Sequence, residues 1–201
     1  MPVVFVDNEN PILPCDTLFM NNYDCMRQLT QYLIGLGHRS FIFVGGNTSA
    51  RSYFDRWRGF LSVLEENSIE YQQPSMLLEA FNSEMTGLNE SVIEWVEQQI
   101  NLGALPTVFV CVNDMLASNI IRILRDSNVT IPKSCSVTGF DDVINGDYGI
   151  TTVRSEMEAL GRRAADVLLW RVRHKSDPFE KILISGDIII KGSTAAPLTK
   201  T

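Results

Sequence analysis

A doubly wound α/β fold with a mostly parallel sheet is the architecture this sequence predicts, and three observations carry it. Strand-like apolar runs and amphipathic helix-like stretches alternate along the chain. The runs Phe41-Ile42-Phe43-Val44 and Val108-Phe109-Val110-Cys111-Val112 are apolar at every position, which suits strands covered by helices on both faces. The 201 residues, 45% hydrophobic and 20% charged, hold enough apolar material for one large domain or two small ones.

The elements follow in order. Residues 3–6 read as a short apolar strand, and Pro11 and Pro14 place a loop after it. Asn22 is a candidate helix cap before Met26, Leu29, Leu33 and Leu36, whose spacing keeps one face apolar until Gly35 and Gly37 end the helix. Residues 40–44 form a buried strand stopped by Gly45-Gly46. Ser49 or Ser52 starts a helix through Trp57, Phe60, Leu61 and Leu64. A short strand is expected at 76–78, then a helix over 83–100 carrying Leu88, Val92, Trp95 and Val96. The strand 107–112 leads to a helix capped by Asn113-Asp114, with Leu116, Ile120, Ile121 and Leu124 inward. Pro132 opens the strand 134–139. A loop with Asn145-Gly146-Asp147 precedes a long helix over 155–174, where Met157, Leu160, Ala164, Val167 and Leu168 share a stripe. Strands over 181–185 and 187–191 close the series, and the βαβ order calls for right-handed crossovers.

Charge and rare residues exclude several functions. Seventeen Lys+Arg against 24 Asp+Glu give a net charge of −7, so bulk electrostatics do not draw this piece to DNA or to an anionic membrane. No apolar run approaches the roughly 20 residues of a membrane span. Residues 1–7 are too short and too quickly acidic for a signal peptide. Four cysteines, at 15, 25, 111 and 135, form no Cys-x-x-Cys, and two histidines, His38 and His174, are too scattered for a zinc site. Buried free thiols, no metal, no cofactor and a reducing cytoplasm are the expectations. Gly45-Gly46-Asn47-Thr48-Ser49 lacks the Lys of a phosphate-binding loop, and Asp141-Asp142 has no further acidic cluster to complete a Mg²⁺ shell. His38 follows a helix C-terminus, where a cation complements the dipole, and His174 ends another helix. No catalytic set assembles, so an enzyme is not expected.

Ligands of open α/β sheets bind beyond the carboxyl ends of the strands. The polar residues there are Asp7, Asn22, residues 45–51, Asn113-Asp114 and Asp141-Asp142. Paired acceptors and donors of this kind match vicinal sugar hydroxyls, an Arg adds a forked donor, and an aromatic face covers the apolar side of a sugar ring. Helix caps and turn braces account equally well for Asn113, Asp114 and Asp142, and from spacing alone both readings stand.

Residues 35–46, Gly-Leu-Gly-His-Arg-Ser-Phe-Ile-Phe-Val-Gly-Gly, resemble the LGHR-x-I-x-x-x-G segment of the lactose-repressor (LacI/GalR) family of bacterial transcription regulators. In register follow Arg56-Trp57-Arg58-Gly59-Phe60, Val112-Asn113-Asp114-Met115-Leu116-Ala117, Ser136-Val137-Thr138-Gly139-Phe140-Asp141-Asp142, Thr151-Thr152-Val153 and Ser193-Thr194. The resemblance spans essentially the whole chain. Phe41, Gly149, Ile150 and Lys191 depart from the usual Ile, Pro, Leu and Arg.

The resemblance implies a fold of the periplasmic-binding-protein-like type. Residues 18–149 and 182–196 would form a nearly complete C-terminal effector-binding subdomain, and 1–17 and 150–181 a remnant of the N-terminal one. The helix-turn-helix headpiece of the family is absent from this chain, and Met1 stands where a truncation would fall. The implied parent is a regulator, a repressor by family habit, that answers a sugar or sugar derivative, touches operator DNA only through the headpiece, and dimerises through the second and fourth helices. A periplasmic-type sugar-binding protein of a transporter is the runner-up. Family effector contacts fall on Arg56, Asn113 and Asp141, with Asp7 across the cleft and an aromatic wall at Phe81, or at Asn82 if the register shifts.

Overall fold

The computed structural model describes residues 1–10, 12–46, 50–81, 87–144 and 149–198. In chain order the elements are β1 (Val4–Val6), β2 (Asp16–Met20), α1 (Asn22–Gly35), β3 (Phe41–Val44), α2 (Arg51–Glu66), α3 (Ser75–Leu78), α4 (Glu90–Asn101), β4 (Val108–Cys111), α5 (Asp114–Asp126), β5 (Ser136–Thr138), β6 (Thr152–Arg154), α6 (Met157–Arg173), β7 (Lys181–Ile184) and β8 (Asp187–Ile189).

The larger sheet is built on the apolar runs. β3, β4 and β5 pair in that order, all parallel, with Phe41 opposite Val108 and Phe109 opposite Val137. Every residue in these strands is buried, as continuous apolar runs require. Bridges from Thr138 to Thr151 and from Asp141 to Arg154 carry the ladder on to β6, and β8 pairs antiparallel with β6. Leu116, Ile120, Ile121 and Leu124 of α5 are buried against this sheet. Phe43, Trp57 and Phe60 meet with ring centroids 5.1–5.8 Å apart, the offset and tilted contacts aromatic quadrupoles favour. α1 and α2 approach so closely that a Cβ on Gly59 would lie 2.3 Å from the Tyr23 carbonyl oxygen, so only glycine fits.

The smaller sheet has the order β1-β2-β7, again parallel. Leu160 and Val167 of α6 bury Leu18 and Met20 in a separate core. The ion pair Arg171–Asp16 ties the end of α6 to β2, with both partners sealed from solvent. Residues 18–20 and 182–184, expected in the C-terminal subdomain, therefore pair within this sheet. Residues 151–154, expected in the remnant, pair with β5 and β8.

Several expectations are corrected. The loop after β1 contains a strand, β2, whose leading Asp16 disguises it; Arg171 neutralises that charge inside the sheet. Residues 76–78 belong to the short helix α3, because the edge of β3 needs no further strand there. The Gln73 side chain accepts from Phe43 N and donates to Phe43 O, and Gly45 N reaches Leu77 O. Asn21, not Asn22, caps α1. His38 is no surface cation: it is fully buried between Thr107 Oγ1 and Ala195 O, and burial pushes its pKa down, so the ring is held neutral. Cys25, Cys111 and Cys135 are buried free thiols, and Cys15 is half-buried. Pro11, Ser49, Asn82, Ser83 and Asn145-Gly146-Asp147 lie outside the described residues. Among those described, no helix is long and apolar enough to cross a membrane.

Candidate functional site

The strand ends converge on a cavity of about 610 Å³, whose walls include Asp7, Tyr53, Arg56, Asp141, Ser155 and Met157. Asp7 follows β1, Arg56 sits in the second turn of α2, and Asp141 lies just past β5. Three of the five anticipated residues thus share one space.

Arg56 is the anchor. Its Nε donates to Asn22 Oδ1 at 2.8 Å and its Nη1 to Val112 O at 2.7 Å. Nη2 donates to Asp141 Oδ1 at 2.9 Å, while the second Asp141 oxygen lies 3.4 Å from Nη1. The guanidinium carbon stands 3.7 Å from the centroid of the Phe140 ring, a cation–π contact that suits the planar fork. Asn22 is buried, and its own amide donates to Met20 O, so it acts as a fixed bracket for Arg56.

Asp141 accepts a further bond from Ser155 Oγ at 2.9 Å, yet 27% of its side chain remains open. Both Asp141 (φ 102°) and Asp142 (φ 54°) occupy the left-handed region that L residues rarely adopt. Asp142, also on the cavity wall, is paired with Arg154 (2.8 Å) and Lys191 (2.6 Å). Burial works against its ionisation, but hydrogen bonds from Lys191 and Arg154 outweigh it and hold the carboxyl below the usual range. It braces the loop.

Among the described residues, the Asp7 carboxylate has no such partner. Partial desolvation raises its pKa, Arg56 offsets this in part, and repulsion from Asp141 adds to the rise. Asp114 is buried beneath the site, accepting from Thr152 Oγ1 at 2.7 Å and Val143 N at 2.9 Å. Desolvation still raises its pKa, against those two bonds. A Cβ on Gly139 would fall 2.2 Å from Asp114 Oδ1, so glycine is required for this packing.

Phe81 and Asn113 stand behind Tyr53 and are not among the described residues that line the cavity. Tyr53 stacks on Phe81 at 5.6 Å and 9°, and Asn113 Nδ2 donates to its hydroxyl at 3.4 Å. Asn113 Oδ1 caps α5 by accepting from Leu116 N. Tyr53, Ser155, Arg154 and Met157 were not among the anticipated residues. Tyr53 does precede Arg56 by three positions and Trp57 by four, on a face shared by both, which was a usable signal. Among the described residues no group of three or more His, Cys, Asp or Glu could hold a metal ion. The arrangement offers open carboxylate oxygens, a pinned guanidinium and a phenol, which is equipment for binding polar neutral molecules.

Comparison with known proteins agrees with this geometry. Residues 30–194 match the family described as periplasmic binding protein-like domain. The chain is 27% identical over 205 residues to the HTH-type transcriptional repressor PurR of Haemophilus influenzae (strain PittEE), covering 98% of this chain and 59% of the relative. It is 26% identical to the arabinose metabolism transcriptional repressor of Geobacillus stearothermophilus, covering 96% and 54%. A periplasmic binding protein/LacI transcriptional regulator from Alkaliphilus metalliredigens QYMF, solved with D-xylulofuranose, superposes with a TM-score of 0.79 at 22% identity, over 96% of this chain and 71% of that one. The chain therefore spans somewhat over half the length of the curated relatives it matches. Those relatives are transcriptional repressors rather than enzymes. With the match covering most of its length and the sheet order and cleft to go with it, the chain belongs to the periplasmic binding protein-like domain family.

Proposed function

We propose that this chain is the effector-binding part of a DNA-binding transcription regulator, and that its effector is a sugar or sugar derivative. The larger sheet with its helices is the C-terminal effector-binding subdomain; β1, β2, α6 and β7 are part of the N-terminal one. Closure of the two about the ligand alters operator affinity through a headpiece outside this chain. The protein works as a homodimer in the cytoplasm and catalyses no reaction. The two relatives described above, both named as repressors, favour this over a transporter's sugar-binding protein.

The observation that carries the reading is the open edge of Asp141. Arg56 and Ser155 hold the carboxylate still while part of it faces the cavity, a pre-positioned acceptor for ligand hydroxyls. Asp7 supplies a second acceptor from the other side. Nuclear magnetic resonance titration of the 201-residue chain with ribose, arabinose and xylulose tests it. Saturable shifts at Asp7, Arg56 and Asp141 are expected. Absence of saturable shifts with every sugar would overturn the reading. The isolated chain, at a net charge of −7, is expected not to bind duplex DNA even at low salt, and tight binding in an anisotropy titration would argue against it.

A further inference from the structure

We infer that Tyr53, and not Asn113, is the residue that donates a hydrogen bond to the ligand from this corner of the cavity; the inference rests on the sugar reading above. Both ends of the Asn113 amide are engaged within the protein, with one Nδ2 proton remaining. Its Oδ1 is occupied by Leu116 N at 2.9 Å, the bond that caps α5, and its Nδ2 is directed at the Tyr53 hydroxyl. Tyr53 lines the cavity and Asn113 does not.

The bond between them has a direction with a consequence. An amide nitrogen only donates, so the phenol oxygen is the acceptor. The phenol's own proton is then unused, and among the described residues no acceptor takes it. It is left to point into the space shared with Asp7 and Asp141. The ring is also held in place: Phe81 stacks on it nearly in parallel, and the Arg56 guanidinium carbon lies 5.7 Å from its centroid. A donor fixed in advance loses little freedom when a ligand arrives.

Asp7 and Asp141 accept from hydroxyls, and Tyr53 donates to a neutral oxygen such as the ring oxygen or a hydroxyl of a monosaccharide. Asn113 is a positioning residue, acting through the phenol that it orients.

Ribose, arabinose and xylulose titrations of the full 201-residue chain, read by chemical shift, test this with three variants. Tyr53→Phe keeps the stacked ring and removes the proton; the dissociation constant of the best sugar should rise about fivefold, the size expected for one neutral hydrogen bond. Asn113→Asp keeps the α5 cap but exchanges the donating amide for an oxygen that accepts the phenol proton and turns it from the cavity. It should weaken binding by a similar factor with the melting temperature nearly unchanged. The double variant should be no weaker than either single one, since both remove the same bond. If Tyr53→Phe binds sugars as the parent does, while Asn113→Asp alone weakens binding, Asn113 meets the ligand directly and the inference is overturned. Additive losses in the double variant overturn it too. If no sugar binds the parent chain, the sugar reading falls and this inference with it.

Discussion

Arg171–Asp16 and Arg56–Asp141 are both forked arginine–carboxylate pairs, and they sit in opposite halves of the molecule. Arg171 meets the two Asp16 oxygens at 2.7 and 2.6 Å, and its other donors go to the carbonyls of His174, Asp177 and Pro178. Asp16 also accepts from Glu180 N, and neither side chain is more than 4% exposed. Every donor and acceptor is matched inside the protein. Arg56 is as deeply placed, at 6%, but its aspartate keeps an open edge and one loose contact. The first pair can only hold the fold together. The second holds an acceptor still for something else. Saturation, more than the presence of charge, separates a structural ion pair from a binding one.

Substitution at the closed pair should have the largest effect. Asp16→Ala leaves a buried, uncompensated guanidinium and should cost about 3–5 kcal/mol in urea unfolding. A loss under about 1 kcal/mol would show that water reaches Arg171 and would break the comparison. Asp141→Ala comes next. Arg56 keeps Asn22 and the Val112 carbonyl, so the stability cost should be about 1–3 kcal/mol, while sugar binding in the same titration is abolished. An unchanged dissociation constant would reduce Asp141 to a turn brace. Asp142→Asn is the control one residue on: about 1 kcal/mol or less by thermal melt, with sugar affinity preserved.

The smallest effects are those of pH, and they have opposite signs. Asp16 has its pKa lowered, chiefly by its hydrogen bond from Arg171, so its stabilisation is present above the unfolded value near 3.9 and is lost as pH falls through the folded one. Asp7 has its pKa raised, so its contribution favours the folded state at low pH and weakens as pH rises through the window above 3.9. Asp7→Asn should therefore raise the melting temperature slightly at pH 7 and not at pH 3. His38, with its pKa lowered by burial, adds stability above about 6.5 that fades as pH falls below it. Replacing it with Gln should flatten the melting curve's pH dependence between 5 and 7, and an unaltered slope would mean the ring titrates normally.

What the sequence made legible was whatever depends on local patterning. The runs at β3 and β4 and the inward stripe of α5 are written in consecutive or periodic residues; the strand-end rule put Asp7 and Asp141 among the candidates, and the family resemblance added Arg56, which shares their cavity. What it concealed depends on a distant partner. β2 reads as a loop because Asp16 is charged, and only Arg171, 155 positions away, makes that charge compatible with a sheet interior. Asn22 reads as a cap because Arg56 lies 34 positions on. Ser155 reads as the start of a helix, whereas its hydroxyl serves Asp141 and the helix begins two residues later. Tyr53 continues the aromatic stripe of α2 and looks like core until Phe81 and Asn113 are seen beside it.

The parallel pairing of β2 with β7, and the seating of His38 against Ala195, have a consequence for biosynthesis. Residues 17–20 leave the ribosome well before their partners at 181–184. The larger sheet waits as well, because Ser193 O accepts from Val137 N, Ser193 Oγ accepts from Thr151 N, and the Ala195 carbonyl meets the His38 ring. Neither half can complete itself before residues 181–195 are made. The nascent chain carries two unfinished sheet edges and the apolar faces of α1 and α5 until those residues emerge. Its vulnerable interval, when chaperones matter most, therefore lasts until both pairings can close, whatever has folded before.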